Sequence, residues 1–561
     1  MFLLLVRRGS LGSAAMLVLG IAVACPSSAA RPVPSPADKL EPALARELAL
    51  RPEAISRVVY VPSEPAVGPS RSEGRTTTGP TRPLADVQAE LAPLLDGIAA
   101  LLRRTGQTVV YASPYTGIVV AAGDPTAIVA ATQDPRIAAV YRERIREPRL
   151  DIAKVVTQAI IVQRRGVLGS GAKVKVGIVE AGRIGSHPDL PAARRILCRP
   201  GASREISGHK TEVAGVIQSN HPRYTGIAPD VTLIDGIGAD FSDAEMMAAT
   251  DCVIARGAVA VNMSFGTNTD GAFDGFAEYV DRLVYRTGVP VVTAVSDDCT
   301  LRMGSPEIAF NDISVGGFSD RNTVRLDDDR HGCDPVITPS FSAYRDPPSL
   351  HGDRQQPDVV APGHFIRTTE PFPTPFPFED VSGTSVAAPM VTGEIALLQG
   401  RAPFPLARQA ERVRAIVMAS ARHNIEGVSR LSDRDGAGGI RIAAADSVLR
   451  NRLSWWFATP GGLRGFPHVQ AFTAAAGRVV RVALAWAHKP AAGNATVSTN
   501  LDLRVLGPAG AVIASSTSFD NNAEIVAFTA RVGGTYRIRI DNVRPSPGPE
   551  HVGLAVSLTE N

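Results

Sequence analysis

The stretch VSGTSVAAPMVTGEIALLQG (Val381–Gly400) decides how the rest of the chain is read. Gly383 and Thr384 lead into Ser385, and the apolar run that follows predicts a buried helix with Pro389 one turn in. Proline is tolerated there because the first-turn N–H groups have no intrahelical acceptor. A serine at that point stands beside unpaired backbone N–H groups at the positive end of the helix dipole, a favourable place for an oxyanion to develop. A serine hydroxyl is a poor nucleophile unless a base takes its proton, so a histidine and a carboxylate must be sought elsewhere.

Around this helix, short apolar strands alternate with helical segments. KVKVGIV, VTLIDGI, AVAVNMSF, VPVVTAV and ISVGGF read as strands; SDAEMMAATDCVIARG and AFDGFAEYVDRLVYRTG read as helices. Such alternation predicts an α/β fold, a parallel sheet with helices on both faces. Function in such folds sits at the carboxyl ends of the strands. Two further segments fall at such places. VKVGIVEAGRIGSHPDL puts Glu180 at a strand end, and SGHKTEVAGVI puts His209 at a helix start.

The three segments complement one another chemically, and together they resemble the signatures of the subtilisin-like serine proteases: carboxylate first, histidine second, serine last. GTSVAAPMVTG matches the serine signature at nearly every position. GHKTEVAG resembles the histidine block, with Lys210 and Glu212 in place of the usual glycine and histidine. VNMSFG (Val261–Gly266), PDVVAPG (Pro357–Gly363), ISVGGFSD (Ile313–Asp320) and DGAGGIRIAAADSVL (Asp435–Leu449) are similar to other family landmarks. The resemblance implies a serine endopeptidase. Ser385 is then nucleophile, His209 base and Glu180 its orienting acid, with Asp189 the alternative acid. Ser264, Phe265 and Gly266 become the strand that pairs with substrate backbone.

Competing motifs fit less well. HKTE would need a second histidine where Val213 stands to make a metal helix. A lipase-type nucleophile elbow would place acid and histidine after the serine. His423, His468, His488 and His551 do follow Ser385, but in no matching context.

Two residues depart from the family pattern. Glu180 replaces the usual aspartate, and Asp297, in VVTAVSDDC (Val291–Cys299), stands where an asparagine usually donates to the oxyanion. An ionised aspartate has no proton to donate and repels negative charge; a protonated one donates. An ionised Asp298 next to it favours that proton. Sedolisins, acid-active relatives, share both substitutions, so a working range shifted to acid pH is implied. The competing class is a catalytically impaired subtilisin-fold binding or scaffold protein.

The 561 residues, 44% hydrophobic and 20% charged, supply several globular domains. Residues 1–30 carry Arg7 and Arg8, an apolar stretch and small residues, the pattern of a secretory signal. That predicts a secreted chain with no stable membrane span after processing; a periplasmic or Cys25-anchored chain is the alternative. Residues 31–82, rich in Pro, Ser, Thr and Arg, read as linker. Residues 83–148 form an α+β unit that resembles the family's propeptide, an intramolecular inhibitor and folding chaperone. Residues 149–450 are the peptidase domain. From 451 to 561, short strands between Gly, Pro and Asn turns read as a C-terminal β-sandwich.

Beyond Cys25, four cysteines in an oxidising compartment predict two disulfides. Proximity along the chain favours Cys198–Cys252 and Cys299–Cys333. Net charge of +3 gives no footprint for a nucleic-acid partner; the resemblance implies protein or peptide substrates. The resemblance implies no cofactor or metal for the chemistry. Structural calcium at Asp502, Asp520, Asn521, Asn522 and Glu524 competes with a reading of these residues as Asx-rich turns.

Overall fold

A computed structural model describes residues 39–50, 56–63, 84–143, 147–148, 156–170, 174–222, 224–321, 323–373, 378–401, 406–427, 430–459, 463–490, 496–546 and 549–559. The expected secretory signal and Cys25 lie outside the described residues. Among these, no helix is long and apolar enough to cross a membrane.

The centre of the molecule is an eight-stranded sheet. Its order is Arg195–Cys198, Thr232–Gly238, Lys175–Ala181, Ala260–Met263, Val291–Ala294 and Ile313–Ser319, the last flanked by Arg330–His331 and Val359–Pro362. Every pairing is parallel except that of Arg330–His331. After Lys175–Ala181 the chain builds one side of the sheet, then crosses to Ala260–Met263 and builds the other. The point where strand order reverses opens a crevice at the carboxyl ends of these two central strands. Glu180 and Ser264 lie there.

Helices cover both faces, as the sequence alternation predicts. Gly208–Gln218, Ala388–Arg401 and Ala410–Ser420 pack on one face, and Asp243–Ala255 and Gly275–Thr287 on the other. The helix containing Pro389 is buried almost all round, so it reads as an apolar run rather than an amphipathic stripe.

The N-terminal unit is an antiparallel sheet in the order Thr108–Ala112, Val119–Gly123, Ser56–Pro62, Ile137–Arg142, with helices Pro42–Leu50, Leu84–Arg104 and Pro125–Ala131. Asp124 caps the third helix by accepting from Ala127 N. The linker expected over residues 31–82 needs correction. It contributes a helix and the interior strand Ser56–Pro62, because a seven-residue SRVVYVP run is hidden in a polar average. Both strand faces are buried: Val58 and Tyr60 meet the unit's own helices, while Val59 and Val61 meet the main domain.

The C-terminal unit is two four-stranded antiparallel sheets around one apolar cluster that includes Trp486, Phe472 and Tyr536. Two of its strands, Ser454–Thr459 and His468–Ala474, were not picked out in the sequence. Ala483, Ala485, Ala523, Ile525 and Ala555 on one sheet belong to the core of the central α/β domain. The two disulfides are Cys198–Cys252 and Cys299–Cys333, the pairs expected from proximity.

Candidate active site

Glu180 is the penultimate residue of strand Lys175–Ala181 and is fully buried. His209 is the second residue of helix Gly208–Gln218, whose N-cap Ser207 accepts from Lys210 N. The two side chains meet, His209 Nδ1 to Glu180 Oε2, at 2.5 Å. Glutamate's extra methylene is therefore compatible with the contact an aspartate would make. Asp189 stands beside His187 at 3.7 Å instead.

Lys210, next in sequence, turns beneath this pair. Its ammonium is fully buried and forms an ion pair with Asp235 Oδ1 at 2.7 Å. It also donates to the carbonyls of Glu180 (3.2 Å), Gly182 (3.0 Å) and Gly236 (2.8 Å). Asp235 Oδ2 accepts from Ile184 N at 3.0 Å. One cation thus staples the ends of strands Lys175–Ala181 and Thr232–Gly238 to the histidine helix. In the sequence Lys210 stands out only as a departure from the family pattern; its partner Asp235 lies 25 positions on, with no local signal.

Ser385 sits in the turn Thr384–Val386, just ahead of helix Ala388–Arg401. Gly383 enters that turn at φ 149°, a conformation side chains disfavour. Ser385 Oγ is buried and makes no hydrogen bond. A chain of bonds holds its backbone. Thr392 Oγ1 donates to Asn262 Oδ1 (3.0 Å), Asn262 Nδ2 donates to Ser264 Oγ (2.9 Å), and Ser264 Oγ donates to the Ser385 carbonyl. Ser264 is therefore tied to Ser385 directly.

Asp297 follows strand Val291–Ala294 and reaches the same turn. Its Oδ1 accepts from Thr384 N at 2.8 Å and contacts Thr384 Oγ1 at 2.9 Å; Thr384 Oγ1 also donates to the Val295 carbonyl. Asp298 faces solvent and accepts from Thr300 N and Oγ1 at 2.8 and 2.7 Å. These bonds from Thr300 hold its carboxyl below the usual range. The adjacent carboxyls that sequence inspection found together thus face different surroundings.

Phe265 and Gly266 form a short strand whose antiparallel partner is Glu147–Pro148 of the chain itself. Phe265 is fully buried edge-on to Phe241 and Phe276, so only its backbone edge is offered to a partner. The residues considered for calcium have other duties. Glu524 accepts from Ser516 and Ser518, Asp502 pairs with Arg504, and Asp520 pairs with His351. Asn521 and Asn522 donate to the carbonyls of Asp353 and Phe310.

Comparison with known proteins finds relatives of the central region. The sequence profile of the subtilase family matches residues 171–438. Subtilisin BL of Lederbergia lenta is 30% identical over 254 residues, covering 44% of this chain and 82% of that protein. A subtilisin-like protease of Arabidopsis thaliana is 29% identical over 300 residues, covering 50% of this chain and 26% of that protein. Among solved structures, the epidermin leader peptide processing serine protease of Staphylococcus aureus matches 71% of this chain and 100% of that one, at 14% identity and a TM-score of 0.46.

Proposed function

The chain belongs to the subtilase family and is a serine-type endopeptidase, and from that premise we propose that it is exported as a pre-pro-enzyme and hydrolyses peptide bonds through Ser385, His209 and Glu180, with Asp297 at the oxyanion. The observation that carries this reading is the 2.5 Å contact between His209 Nδ1 and Glu180 Oε2. With the Nδ1 proton engaged by glutamate, Nε2 is left as the base.

Ser385 Oγ attacks the scissile carbonyl while His209 Nε2 takes its proton. The resulting imidazolium is stabilised by Glu180 and gives the proton to the leaving amine. Water, deprotonated by the same nitrogen, then releases the acyl group. The negative oxygen of each tetrahedral intermediate takes hydrogen bonds from Ser385 N–H and Asp297. Asp297 Oδ1 already receives Thr384 N–H, so a proton carried by this carboxyl belongs on Oδ2. The chemistry then requires neutral Asp297, and the working range moves towards acid, as in the sedolisin-like pattern.

Ser264 to Gly266 accept the substrate as an added strand. The pairing of Glu147–Pro148 onto Phe265–Gly266 supports the N-terminal unit as a propeptide that covers this edge until removed. The unit begins at or before Lys39 rather than at residue 83, since helix Pro42–Leu50 and strand Ser56–Pro62 belong to it. The C-terminal two-sheet unit is read as the β-sandwich appended to some bacterial relatives.

The test is self-processing. Purified full-length protein should lose its N-terminal unit, and Ser385→Ala should not. Stable full-length wild-type protein with no activity on casein or a peptide library between acid and mildly basic pH would defeat the reading.

A further inference from the structure

Three carboxylates converge beside the histidine helix, outside the catalytic set. Glu212, Glu370 and Glu379 each place an oxygen within 4.8 Å of the other two. Glu212 lies one helical turn past His209 and is 5% exposed; its Oε2 is buried and, among the described residues, meets no N–H or hydroxyl donor. Glu370 is half-buried and Glu379 is exposed. Among the described residues, no arginine or lysine pairs with any of the three. The nearby Arg367 is engaged with Asp380 at 2.9 Å. Burial and the adjacent Glu370 and Glu379 push the Glu212 carboxyl up to about 9.

These residues come from separate elements. Strands Ile366–Thr369 and Phe378–Val381 form an antiparallel hairpin, with Glu379 opposite Thr368 and Glu370 just past the first strand. Thr368 and Thr369 donate through their hydroxyls to the carbonyls of Glu212 and Thr211, docking the hairpin on the helix that carries His209. The second hairpin strand runs directly into Gly383, Thr384 and Ser385.

We propose that Glu212, Glu370 and Glu379 form a divalent-cation site that clamps the hairpin leading to Ser385 against the helix bearing His209. Oxygen atoms no further apart than 4.8 Å need draw in only slightly for all three to reach a calcium ligand distance of about 2.3–2.6 Å from one ion. An all-carboxylate set selects a hard cation such as Ca²⁺ or Mn²⁺ over zinc or copper. The cation removes the repulsion among three like charges and gives the buried Glu212 oxygen a partner.

The experiment uses the full chain carrying Ser385→Ala, which keeps it intact, after EDTA treatment and desalting. Calcium chloride is titrated by calorimetry, and the thermal midpoint is followed with and without calcium. Manganese bound to protein is counted by electron paramagnetic resonance. Saturable binding with a Kd on the order of 10⁻⁴ to 10⁻³ M and a raised midpoint is expected. Glu379→Gln, at an exposed position that should not disturb folding, should weaken binding by about tenfold or more. Glu212→Gln should do the same. The proposal fails if wild type shows no saturable binding, or if Glu379→Gln binds with unchanged affinity. It fails equally if the midpoint follows pH alone and ignores calcium. Proteolysis is not a readout, so the result stands apart from the catalytic assignment.

Discussion

Lys210 and Asp235 form an ion pair at 2.7 Å with neither side chain exposed to solvent. The lysine also holds the main-chain carbonyl of Glu180. In the proposed mechanism it touches no reacting atom and acts by positioning Glu180. Lys210→Met leaves Asp235 as an uncompensated buried charge and should cost about 3–5 kcal/mol of stability. Lys210→Met/Asp235→Asn should recover part of that loss but not the activity. Urea unfolding in a Ser385→Ala background, with kcat and KM in the active protein, separates the two effects. A double variant with normal kcat would show that the pair only supports the fold.

Glu180 reaches His209 with a side chain one methylene longer than the family's. Glu180→Asp should therefore lengthen the 2.5 Å contact and lower kcat while leaving KM near its wild-type value. Glu180→Gln should do worse, because an amide favours the wrong imidazole tautomer; an equivalent change in a serine-protease triad costs about 10⁴-fold. Steady-state kinetics on one peptide substrate are enough. An unchanged kcat in Glu180→Gln would remove glutamate from the triad.

In the proposed mechanism Asp297 donates to the oxyanion, and only while protonated. Wild-type kcat/KM should therefore fall as rising pH strips that proton. Asp297→Asn keeps a donor at every pH and should lose this alkaline limb, retaining activity where wild type has none. Matching pH–rate profiles for the two proteins would exclude a catalytic proton on this residue.

Glu394, on the helix following Ser385, is fully buried and neither carboxyl oxygen has a hydrogen-bond partner. Burial pushes its carboxyl from 4.5 up to about 8. The sign follows from linkage: the folded state keeps the proton over a range where the unfolded chain has lost it, so stability falls as pH rises from about 4.5 towards about 8. Glu394→Gln carries no charge to bury. It should melt above wild type by several degrees at pH about 8, and the gain should vanish near pH about 4, corresponding to a few kcal/mol at most. Thermal scans across that range in the Ser385→Ala background decide it.

The strands of the central sheet and the placement of Glu180, His209 and Ser385 were legible because each sits at a local transition. These are the end of an apolar run, a Ser-Gly helix start and a Gly-Thr-Ser turn. What stayed hidden depends on distance in sequence. Ser56–Pro62 pairs with residues about 60 and 80 positions on, so its composition window reads as linker. Glu212 meets Glu370 and Glu379 only after the hairpin docks. Glu394 lies in a helix buried on all sides, where periodicity marks no polar face and so flags no anomaly. Asp297 shows both cases: its position was readable, whereas the bond it accepts from Thr384 N was not.

Helix Ala410–Ser420 has every residue buried. Arg414 bonds Asp358 on one side and Asn522 on the other. Gly553 lies so close to the Glu411–Arg412 backbone that an added Cβ would fall 2.2 Å from it. The sequence boundary near residue 450 is thus not a seam in the solid. The C-terminal unit cannot be exchanged as a cassette, and a fragment trimmed at that boundary would present its own core to water. Diversification by shuffling is left to the outer sheet, whose exposed Val469, Val512 and Ile513 face away from the peptidase.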